Sequence, residues 1–323
     1  MASFVLPFEK PVVDLLGRVR ELRELAHDKE NDDDGARLRD ELRRLEEKTG
    51  RVAKELFASL SPWQKVQLSR HPNRPYTLDY VERIIDDFVE MHGDRRFGDD
   101  PAIVAGIGRF RGRSVVVVGH QKGRSTKEKV TRNFGQAHPE GNRKALRMYE
   151  LAERFGLPVL TFIDTPGAYP GIGAEERGQS EAIGACLAAM SRAKVPIVAT
   201  IIGEGGSGGA LALGVANRVL VLEYGTYSVI SPEGCASILW KDGTKSDVAA
   251  EAMKMTAPDL LRLKVVDRVV DEPAGGAHQD PDAAARLVSK AISDALRELL
   301  RMTPDELAED RYARFRAIGA FLA

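Results

Sequence analysis

Cysteine and aromatic residues are scarce in this sequence of 323 residues. It contains two cysteines, Cys186 and Cys235, and 6% aromatic residues. Two cysteines cannot build the disulfide framework of a small secreted domain, and both lie among apolar and small residues. We therefore expect two buried thiols in a reducing compartment, and a cytoplasmic protein.

Long apolar runs and an excess of charge of one sign are also missing. No window offers the roughly 18 uninterrupted apolar residues that a membrane-spanning helix requires. The segment 1–9 has neither a basic region nor a long apolar stretch, so no secretory signal is expected. The formal net charge is −1, which gives no bulk attraction to nucleic acid or to a membrane surface. With 43% hydrophobic residues, the chain has ample material for a large core.

The first 92 residues are predicted to be mainly helical. Leucines and valines at helical spacing form two stripes within residues 11–57, on either side of the polar segment 31–35. This pattern predicts an antiparallel helical hairpin, and a further helix is predicted from Thr77 to about Val89. We assign residues 1–92 to an N-terminal helical region and residues 93–323 to the main domain with its C-terminal helices.

From residue 102 onward, short apolar runs alternate with helical patterns. Such alternation requires crossover connections, and so predicts a largely parallel sheet covered by helices on both faces. The predicted strands are 103–107, 114–119, 159–163, 195–202, 218–222, 227–230 and 266–270, and the predicted helices are 139–155, 174–193, 232–239, 246–255, 258–263, 282–300 and 304–318.

Two of the predicted strands run into glycine-rich segments that precede a helix. The strand 195–202 is followed by Gly203–Gly209, and the strand 159–163 is followed by Asp164–Gly171. Glycines permit sharp bends and leave backbone N–H groups free to face an anionic oxygen. Two such units in succession predict a pair of amide donors at one place, which is the arrangement of an oxyanion hole.

Two other chemistries compete for these segments. Asp164–Gly167 fits the short Asp-x-x-Gly box of GTPases, but the sequence contains no P-loop, so nucleotide binding is disfavoured. Gly205–Gly209 fits the G-x-S-x-G pattern of serine hydrolases, with Ser207 as the nucleophile. The only histidine that follows Ser207 is His278, so the hydrolase remains an alternative with a single candidate base.

The segment Gly119–Arg147 is strongly basic. It carries eight lysine and arginine residues against two glutamates. This balance suits a phosphorylated or carboxylated small molecule, or an acidic partner surface, as well as a plain solvated loop. The few aromatic residues there do not predict nucleic-acid binding. The scattered histidines and cysteines have no metal-ligand spacing, so no metal site is predicted.

Long motifs within the sequence closely resemble the α subunits of bacterial acetyl-coenzyme A carboxylase carboxyltransferases. The likeness covers nearly the whole chain, and departures are confined to Asn142 and residues 136–138. The motifs are His71–Pro72, Arg74–Tyr80, Gly119–Arg124, Arg132–Gly135, Pro139–Gly141, Arg143–Leu146, Thr161–Gly171, Gly173–Ile183, Gly203–Ala212, Tyr227–Trp240 and Gly275–His278.

The resemblance implies a crotonase-like fold of repeated ββα units. It also implies a transferase that moves a carboxyl group from carboxybiotin, on a biotin carboxyl carrier protein, to acetyl-CoA, giving malonyl-CoA for fatty acid biosynthesis. The family's α subunit works in an α2β2 heterotetramer with a β subunit that carries a zinc ribbon. Biotin carboxylase completes the ATP-dependent complex.

From the glycine segments and the resemblance together we predict three groups of site residues. The backbone oxyanion donors are predicted at Gly206, Ser207 and Gly208 in one bend and at Gly167 or Ala168 in the other. The carboxybiotin side is predicted to include Gly205, Gly209, Tyr169, Pro170 and Gly171. Anion contacts are predicted at Lys122, Arg124 and Arg132.

Overall fold

Parallel strands form the centre of the molecule. The computed structural model describes residues 4–28 and 33–319, and its single sheet has the order β1-β2-β3-β4-β5-β6-β8, with β7 paired to the end of β5. Strands β1 to β3 are antiparallel, and the pairings from β3 to β8 are parallel. The strands are β1 (Asp86–Glu90), β2 (Ile103–Phe110), β3 (Arg113–His120), β4 (Val159–Thr165), β5 (Ile197–Gly206), β6 (Arg218–Leu222), β7 (Thr226–Ser228) and β8 (Arg268–Val270).

Helices connect the strands and extend the chain at both ends. The helices are α1 (Lys10–Asp28), α2 (Asp33–Ala58), α3 (Pro62–Ser69), α4 (Thr77–Ile84), α5 (Thr126–Thr131), α6 (Pro139–Phe155), α7 (Ile172–Glu176), α8 (Gln179–Arg192), α9 (Ser207–Leu211), α10 (Pro232–Trp240), α11 (Ser246–Met253), α12 (Ala257–Arg262), α13 (Pro281–Leu299) and α14 (Pro304–Arg316). Helix α5, inside the basic segment, was not predicted.

The sheet has an apolar core on each face. Side chains of a strand alternate between faces, so Val116 and Val118 belong to one core while Val115 and Val117 belong to the other. The first core includes Met148 of α6, and the second includes helices α4 and α13. The prediction of a largely parallel sheet covered on both sides is confirmed.

Helices α1 and α2 pack against each other, as the hairpin prediction requires. Residues 29–32, which include part of the predicted polar break, lie outside the described residues. The base of the hairpin joins the body through a small apolar cluster that contains Val12, Phe57, Leu68 and Tyr224.

The predicted helix from Thr77 to Val89 is wrong in its second half. Helix α4 ends at Ile84, and Asp86–Glu90 forms the edge strand β1 instead. A Cβ atom on Gly106 of β2 would lie 2.3 Å from the carbonyl oxygen of Val89 and 2.8 Å from the Phe88 ring. The glycine therefore lets this strand pack closely onto β2, and that long-range contact overrides the local helical pattern.

The predicted helix 174–193 is divided into α7 and α8. Gly178 has φ +79°, a left-handed conformation that interrupts the helix. The carbonyl oxygen of Arg177 accepts a hydrogen bond from Arg143 Nη2 at 2.6 Å instead of continuing the helix. The predicted C-terminal helices are confirmed as α13 and α14.

The proposed division at residue 92 places β1 with the N-terminal helices, although β1 is part of the sheet. The division itself stays a prediction.

Candidate functional site

The two glycine-rich segments lie side by side at the carboxyl ends of β4 and β5. These strands are adjacent and parallel, and Thr165 pairs with Gly205. A Cβ atom on Gly167 would lie 3.6 Å from Ser207 Cβ, and one on Gly209 would lie 2.7 Å from the Ala168 nitrogen. The bend after β4 and the bend after β5 are therefore in direct contact.

The sequence placed the second bend too early. Strand β5 continues through Gly203 and Gly205 to Gly206, so most of the predicted turn is extended backbone. A Cβ atom on Gly206 would lie 2.2 Å from the carbonyl oxygen of Pro166. Gly206 therefore permits the close approach of β5 to the first bend, whereas Gly205 leaves room for the Tyr227 ring of β7. The reversal itself occurs at Ser207, whose φ is +54°.

Ser207 has a conformation that non-glycine residues rarely adopt. A left-handed φ at such a residue costs of the order of 1–2 kcal/mol, and packing around it must offset that cost. Ser207 and Gly208 are half-buried, whereas Gly209 is buried against the other bend. The surface of the bend therefore consists largely of main chain at Ser207 and Gly208.

The amides of the two bends differ in whether they are already bonded. Gly208 is the second residue of α9, so its N–H has no acceptor within the helix. The amide of Gly167 donates to Thr165 Oγ1 at 3.1 Å. For the amide of Ala168, the described hydrogen bonds include no acceptor. Of the two alternatives in the first bend, Ala168 is thus the donor left available.

Tyr169, Pro170 and Gly171 form the loop that leads from the first bend to α7. The Tyr169 amide donates to the carbonyl oxygen of Ala137 at 3.0 Å, and its ring lies against that of His138 with 4.5 Å between centroids. Pro170 is exposed. The loop is therefore anchored at Tyr169 and presents Pro170 to solvent.

Of the three predicted anion contacts, the structure brings Lys122 to the bends. Lys122 Nζ lies 2.8 Å from Asp164 Oδ1 and 2.8 Å from Glu204 Oε1, so its charge is compensated within the chain. Arg124 pairs with Asp79 and lies over the Tyr76 ring. Arg132 donates to the carbonyl oxygen of Pro101 at 2.8 Å.

Burial and charge act in opposite directions on the pKa values of this group. Burial raises the pKa of Asp164 above its ordinary value, despite the adjacent Lys122. Burial acts the same way on Glu204, but Lys122 and Arg70 outweigh it and lower the pKa of Glu204. Burial and the positive charge of Lys122 lower the pKa of His120 to about 3. His120 is therefore neutral at physiological pH.

An apolar cleft opens beside Ser207 and Gly208. Its volume is about 530 Å³, within the range of small-molecule sites. The cleft is bounded by strand β7, helices α11 and α12 and the last turn of α14, and its lining includes Tyr227, Val229 and Ile230. Cys235, predicted to be buried, is half-buried and lines this cleft, whereas Cys186 is buried as predicted.

The serine hydrolase alternative is not supported. The side chain of His278, its only candidate base, is buried: its Nε2 lies 2.8 Å from Glu9 Oε1 and its ring stacks on His71. His278 is not among the residues that line the cleft at Ser207. Ser207 has the strained backbone of a nucleophile elbow, but the triad does not form around it.

Glu9, His71 and His278 are the only group within residues 4–28 and 33–319 whose potential ligand atoms lie close enough to hold a metal ion. The two imidazole rings are stacked, with 4.0 Å between centroids and 27° between planes. Stacked rings direct their nitrogen lone pairs alongside each other rather than toward one point, and His71 Nδ1 already accepts the amide of Asn73 at 3.2 Å. The absence of a metal site stays a prediction.

Sequence reasoning missed the buried charges around Lys122. Asp164 was considered as part of the first glycine-rich segment and of a nucleotide-binding box, and Glu204 as one residue of a glycine run, and no ion pair was predicted for either. The available signal was the presence of carboxylates at the ends of two apolar strands, where burial requires a cationic partner.

No helix in the described ranges has the length and apolar character needed to cross a bilayer.

A family model described as acetyl co-enzyme A carboxylase carboxyltransferase-like matches residues 5–319. The chain belongs to this family. It is 65% identical over 322 residues to the acetyl-coenzyme A carboxylase carboxyl transferase subunit alpha of Sorangium cellulosum, with 100% of both chains covered. It is 58% identical over 316 residues to the subunit of the same name from Thermus thermophilus, with 98% of both covered. Family membership identifies the chain as a carboxyltransferase subunit and gives no support to the serine hydrolase alternative.

Solved structures agree on the fold. The chain superposes on transcarboxylase 12S, determined with methylmalonyl-coenzyme A bound, with a TM-score of 0.57, 22% identity, and coverage of 71% of this chain and 42% of that one. It superposes on a Pseudomonas malonate decarboxylase hetero-tetramer in complex with coenzyme A with a TM-score of 0.56, 18% identity, and coverage of 68% and 91%. These likenesses confirm the crotonase-like fold that the resemblance implied.

Proposed function

We propose that the chain is the α subunit that transfers a carboxyl group from carboxybiotin, on a carrier protein, to acetyl-CoA, forming malonyl-CoA for fatty acid biosynthesis. Full-length relatives with this subunit name support the reaction class. The observation that carries the assignment of the site is the contact between the two bends, with Gly167 against Ser207.

The chain's contribution to the reaction is electrostatic. The amides of Gly208 and Ala168 donate to an oxygen that gains negative charge as the carboxyl group leaves, and such a donor contributes about 3–4 kcal/mol. Carboxybiotin supplies the transferable carboxyl group when it is bound. Ser207 holds the Gly208 amide at the surface, while Gly206 and Gly209 let the two bends approach and Gly205 leaves room for the Tyr227 ring of β7.

The shape of the site suits a small bicyclic urea. The cleft of about 530 Å³ beside the bend offers apolar walls for the ring system and the main chain of Ser207 and Gly208 for the urea oxygen. The Ala168 amide belongs to the adjoining bend, in contact with Gly209. Tyr169, Pro170 and Gly171 follow the first bend and are assigned to the same ligand. His120 is buried and its pKa is lowered to about 3, so it is a poor proton acceptor at neutral pH.

We assign the partner to a β subunit with a zinc ribbon, in an α2β2 heterotetramer that works in the cytoplasm with the biotin carboxyl carrier protein and biotin carboxylase. An exposed apolar surface beside the site supports a protein partner there. Its members, here called the α10 patch, are Val229, Ile238, Leu239 and Trp240. Single exposed apolar residues are ordinary, but a contiguous patch marks an interface.

The test uses the reaction in reverse, with malonyl-CoA and biocytin as substrates. Acetyl-CoA formation is followed for this chain alone, for its β partner alone and for the two together. We expect turnover with the two together, and little with either chain alone, because the partner supplies the acyl-CoA side of the centre. Full activity of this chain alone, or none of the mixture, would refute the proposal.

A further inference from the structure

Strands β4 and β5 change register just before the two bends. Ile163 pairs with Ile201, whereas the next pairing is Thr165 with Gly205, so three residues of β5 lie opposite one residue of β4. The amide of Glu204 donates to Asp164 Oδ1 at 3.1 Å. The side chain of Asp164 thus accepts a hydrogen bond from β5 in place of the backbone of β4, two residues before Gly206.

Gly203 makes this substitution sterically possible. A Cβ atom there would lie 2.4 Å from Asp164 Oδ1, which is closer than any real Cβ contact. The carboxylate of Asp164 therefore occupies the space that a side chain on β5 would need. The offset between the two strands, and hence between the two bends, depends on where this carboxylate lies.

Lys122 holds that carboxylate and the next one in place. It follows strand β3, and its Nζ contacts Asp164 and Glu204 at 2.8 Å each, with only 14% of the side chain exposed. Two carboxylates that share a buried space repel each other unless a cation lies between them. Lys122 thus joins the residue before the first bend to the residue two positions before Gly206.

We propose that Lys122 is a positioning residue for carboxyl transfer, which sets the separation of the two amide-bearing bends by bridging Asp164 and Glu204. The proposal rests on the proposed function of those bends. Lys122 makes no contact with the reacting groups in this role. It replaces the anion contact that the sequence predicted for this residue.

The charges around the bridge determine its response to pH. Asp164 is the carboxylate that takes a proton first as the pH falls, because burial raises its pKa while two cations lower that of Glu204. The titratable and charged groups that face this pair are Lys122, Arg70, Arg74, Tyr76 and Tyr80, and His120 faces Lys122.

The bridge continues to the α10 patch. Arg70 Nε lies 2.7 Å from Glu204 Oε2, and Arg70 Nη1 lies 2.7 Å from Glu233 Oε1 in the first turn of α10. A chain of alternating charges therefore runs from the bend after β4 to the helix that carries three of the four residues of the α10 patch. A partner that binds α10 would therefore lie next to Glu233, which belongs to the same chain of charges as the residues that position the bends.

The experiment compares the Lys122→Met variant with wild type in the complex with the β partner. Lys122→Met leaves Asp164 and Glu204 without their bridge, so at neutral pH we expect a rate loss of about 100-fold, which is the cost of a displacement of about 1 Å. As the pH is lowered from about 8 to about 6, the variant should regain rate, because protonation of Asp164 removes one of the two repelling charges. Wild type should show no such gain.

Two further variants make the result specific. In the double variant Lys122→Met/Asp164→Asn, the asparagine keeps an acceptor for the Glu204 amide without the extra charge, so most of the rate should return. Lys54→Met, at an exposed lysine of α2, should have the wild-type rate and pH profile. A wild-type pH profile for Lys122→Met, or a double variant as slow as the single one, would overturn the proposal.

Amide hydrogen exchange separates this proposal from the proposed function. Residues 203–209 should exchange faster in Lys122→Met than in wild type or in the double variant, whether or not the complex transfers carboxyl groups. Unchanged exchange in this segment overturns the role of Lys122. An inactive wild-type complex overturns the proposed function, while the exchange data still decide whether Lys122 positions the bends.

Discussion

Gly206 and Gly208 lie on either side of Ser207, but their surroundings differ. A Cβ atom on Gly206 would lie 2.2 Å from the Pro166 carbonyl oxygen, whereas one on Gly208 would meet only the Ile183 side chain, at 3.4 Å. The first contact is with backbone that cannot yield without moving the other bend. The second is ordinary van der Waals contact. Position 206 therefore governs the separation of the bends, and position 208 tolerates a methyl group.

This difference predicts the ranking of two alanine variants. Gly206→Ala should lower the rate of carboxyl transfer by about 100-fold or more, since it displaces an amide donor whose removal costs about that much. Gly208→Ala should lower this rate much less, because its amide remains. The rate of Ser207→Ala should stay within about tenfold of wild type, because the hydroxyl is not a nucleophile. The measurement is kcat in the complex with the β partner.

Thermal unfolding of the same three variants distinguishes loss of the fold from displacement of the amide donors. If Gly208→Ala is as slow as Gly206→Ala while both remain folded, the steric basis of the ranking is wrong. If Ser207→Ala loses all activity, the backbone account of the bend fails.

At the scale of single elements, strands with continuous runs of β-branched residues were predictable. The runs in β3, β4 and β6 are apolar on both faces, as a doubly covered parallel sheet requires. Strand β1 was not predictable, because Asp86–Glu90 follows a helix without a turn signal and becomes a strand only by pairing with β2. The glycines of β5 were taken for a turn, since a sequence does not reveal which backbone lies opposite a glycine.

The N-terminal segment is tied to the body by a buried group of two imidazoles and one carboxylate. Glu9 accepts the Leu6 amide at 2.8 Å and lies against His71 and His278. Burial and the neighbouring His278 ring, opposed by Glu9, lower the pKa of His71 from 6.5 to about 4. The folded chain therefore resists protonation of His71 more than the unfolded chain does.

This predicts that the free energy of unfolding falls as the pH drops below 6.5. A histidine with a lowered folded pKa favours folding at neutral pH, and the advantage is lost between its unfolded and folded pKa values. From about pH 7 to about pH 5 the loss from His71 should be about 2 kcal/mol. Denaturant unfolding of the chain at the two pH values measures it.

The matched variants are His71→Phe, which keeps an aromatic ring, and His27→Phe at an exposed position of α1. His71→Phe should flatten the dependence, while His27→Phe should leave it unchanged. If the free energy of unfolding of His71→Phe still falls as steeply with pH as that of wild type, another group causes the loss of stability.

At the scale of the whole molecule, the site is open on the side of the α10 patch. Val229 is 80% exposed, Ile238 70% and Leu239 64%, and Val229 also lines the cleft beside Ser207. Burial of such side chains by a partner is favourable by about 1.5–3 kcal/mol each. A partner on this patch would also close the cleft to water.

We therefore predict that the double variant Ile238→Asp/Leu239→Asp loses affinity for the β partner by about 100-fold or more, because two carboxylates replace apolar contact area. The fold should be kept, since both side chains are exposed. Phe155→Asp, at the end of α6 and just before β4, is the control with a similarly exposed residue. Analytical ultracentrifugation of the mixtures measures association, and equal affinity of the two variants would place the interface elsewhere.

The candidate site was predictable in outline and not in its contacts. That two bends meet follows from two strand-to-helix units in succession. Two sets of contacts depend on side-chain positions across three strands. Lys122 contacts Asp164 and Glu204, and Thr165 accepts the hydrogen bond of the Gly167 amide. Motif spacing carries no information about such contacts.

The central claim is that main-chain amides, and not reactive side chains, carry this chain's part of the reaction. Replacement of Gly208 by glycolic acid tests it most directly, because an ester oxygen takes the place of one N–H and no side chain is added. The same replacement at Gly112, in the exposed turn between β2 and β3, is the control. We predict that the ester at 208 lowers kcat by about 100- to 1,000-fold with assembly retained, while the ester at 112 has no effect. A wild-type kcat for the ester at 208 would contradict the account.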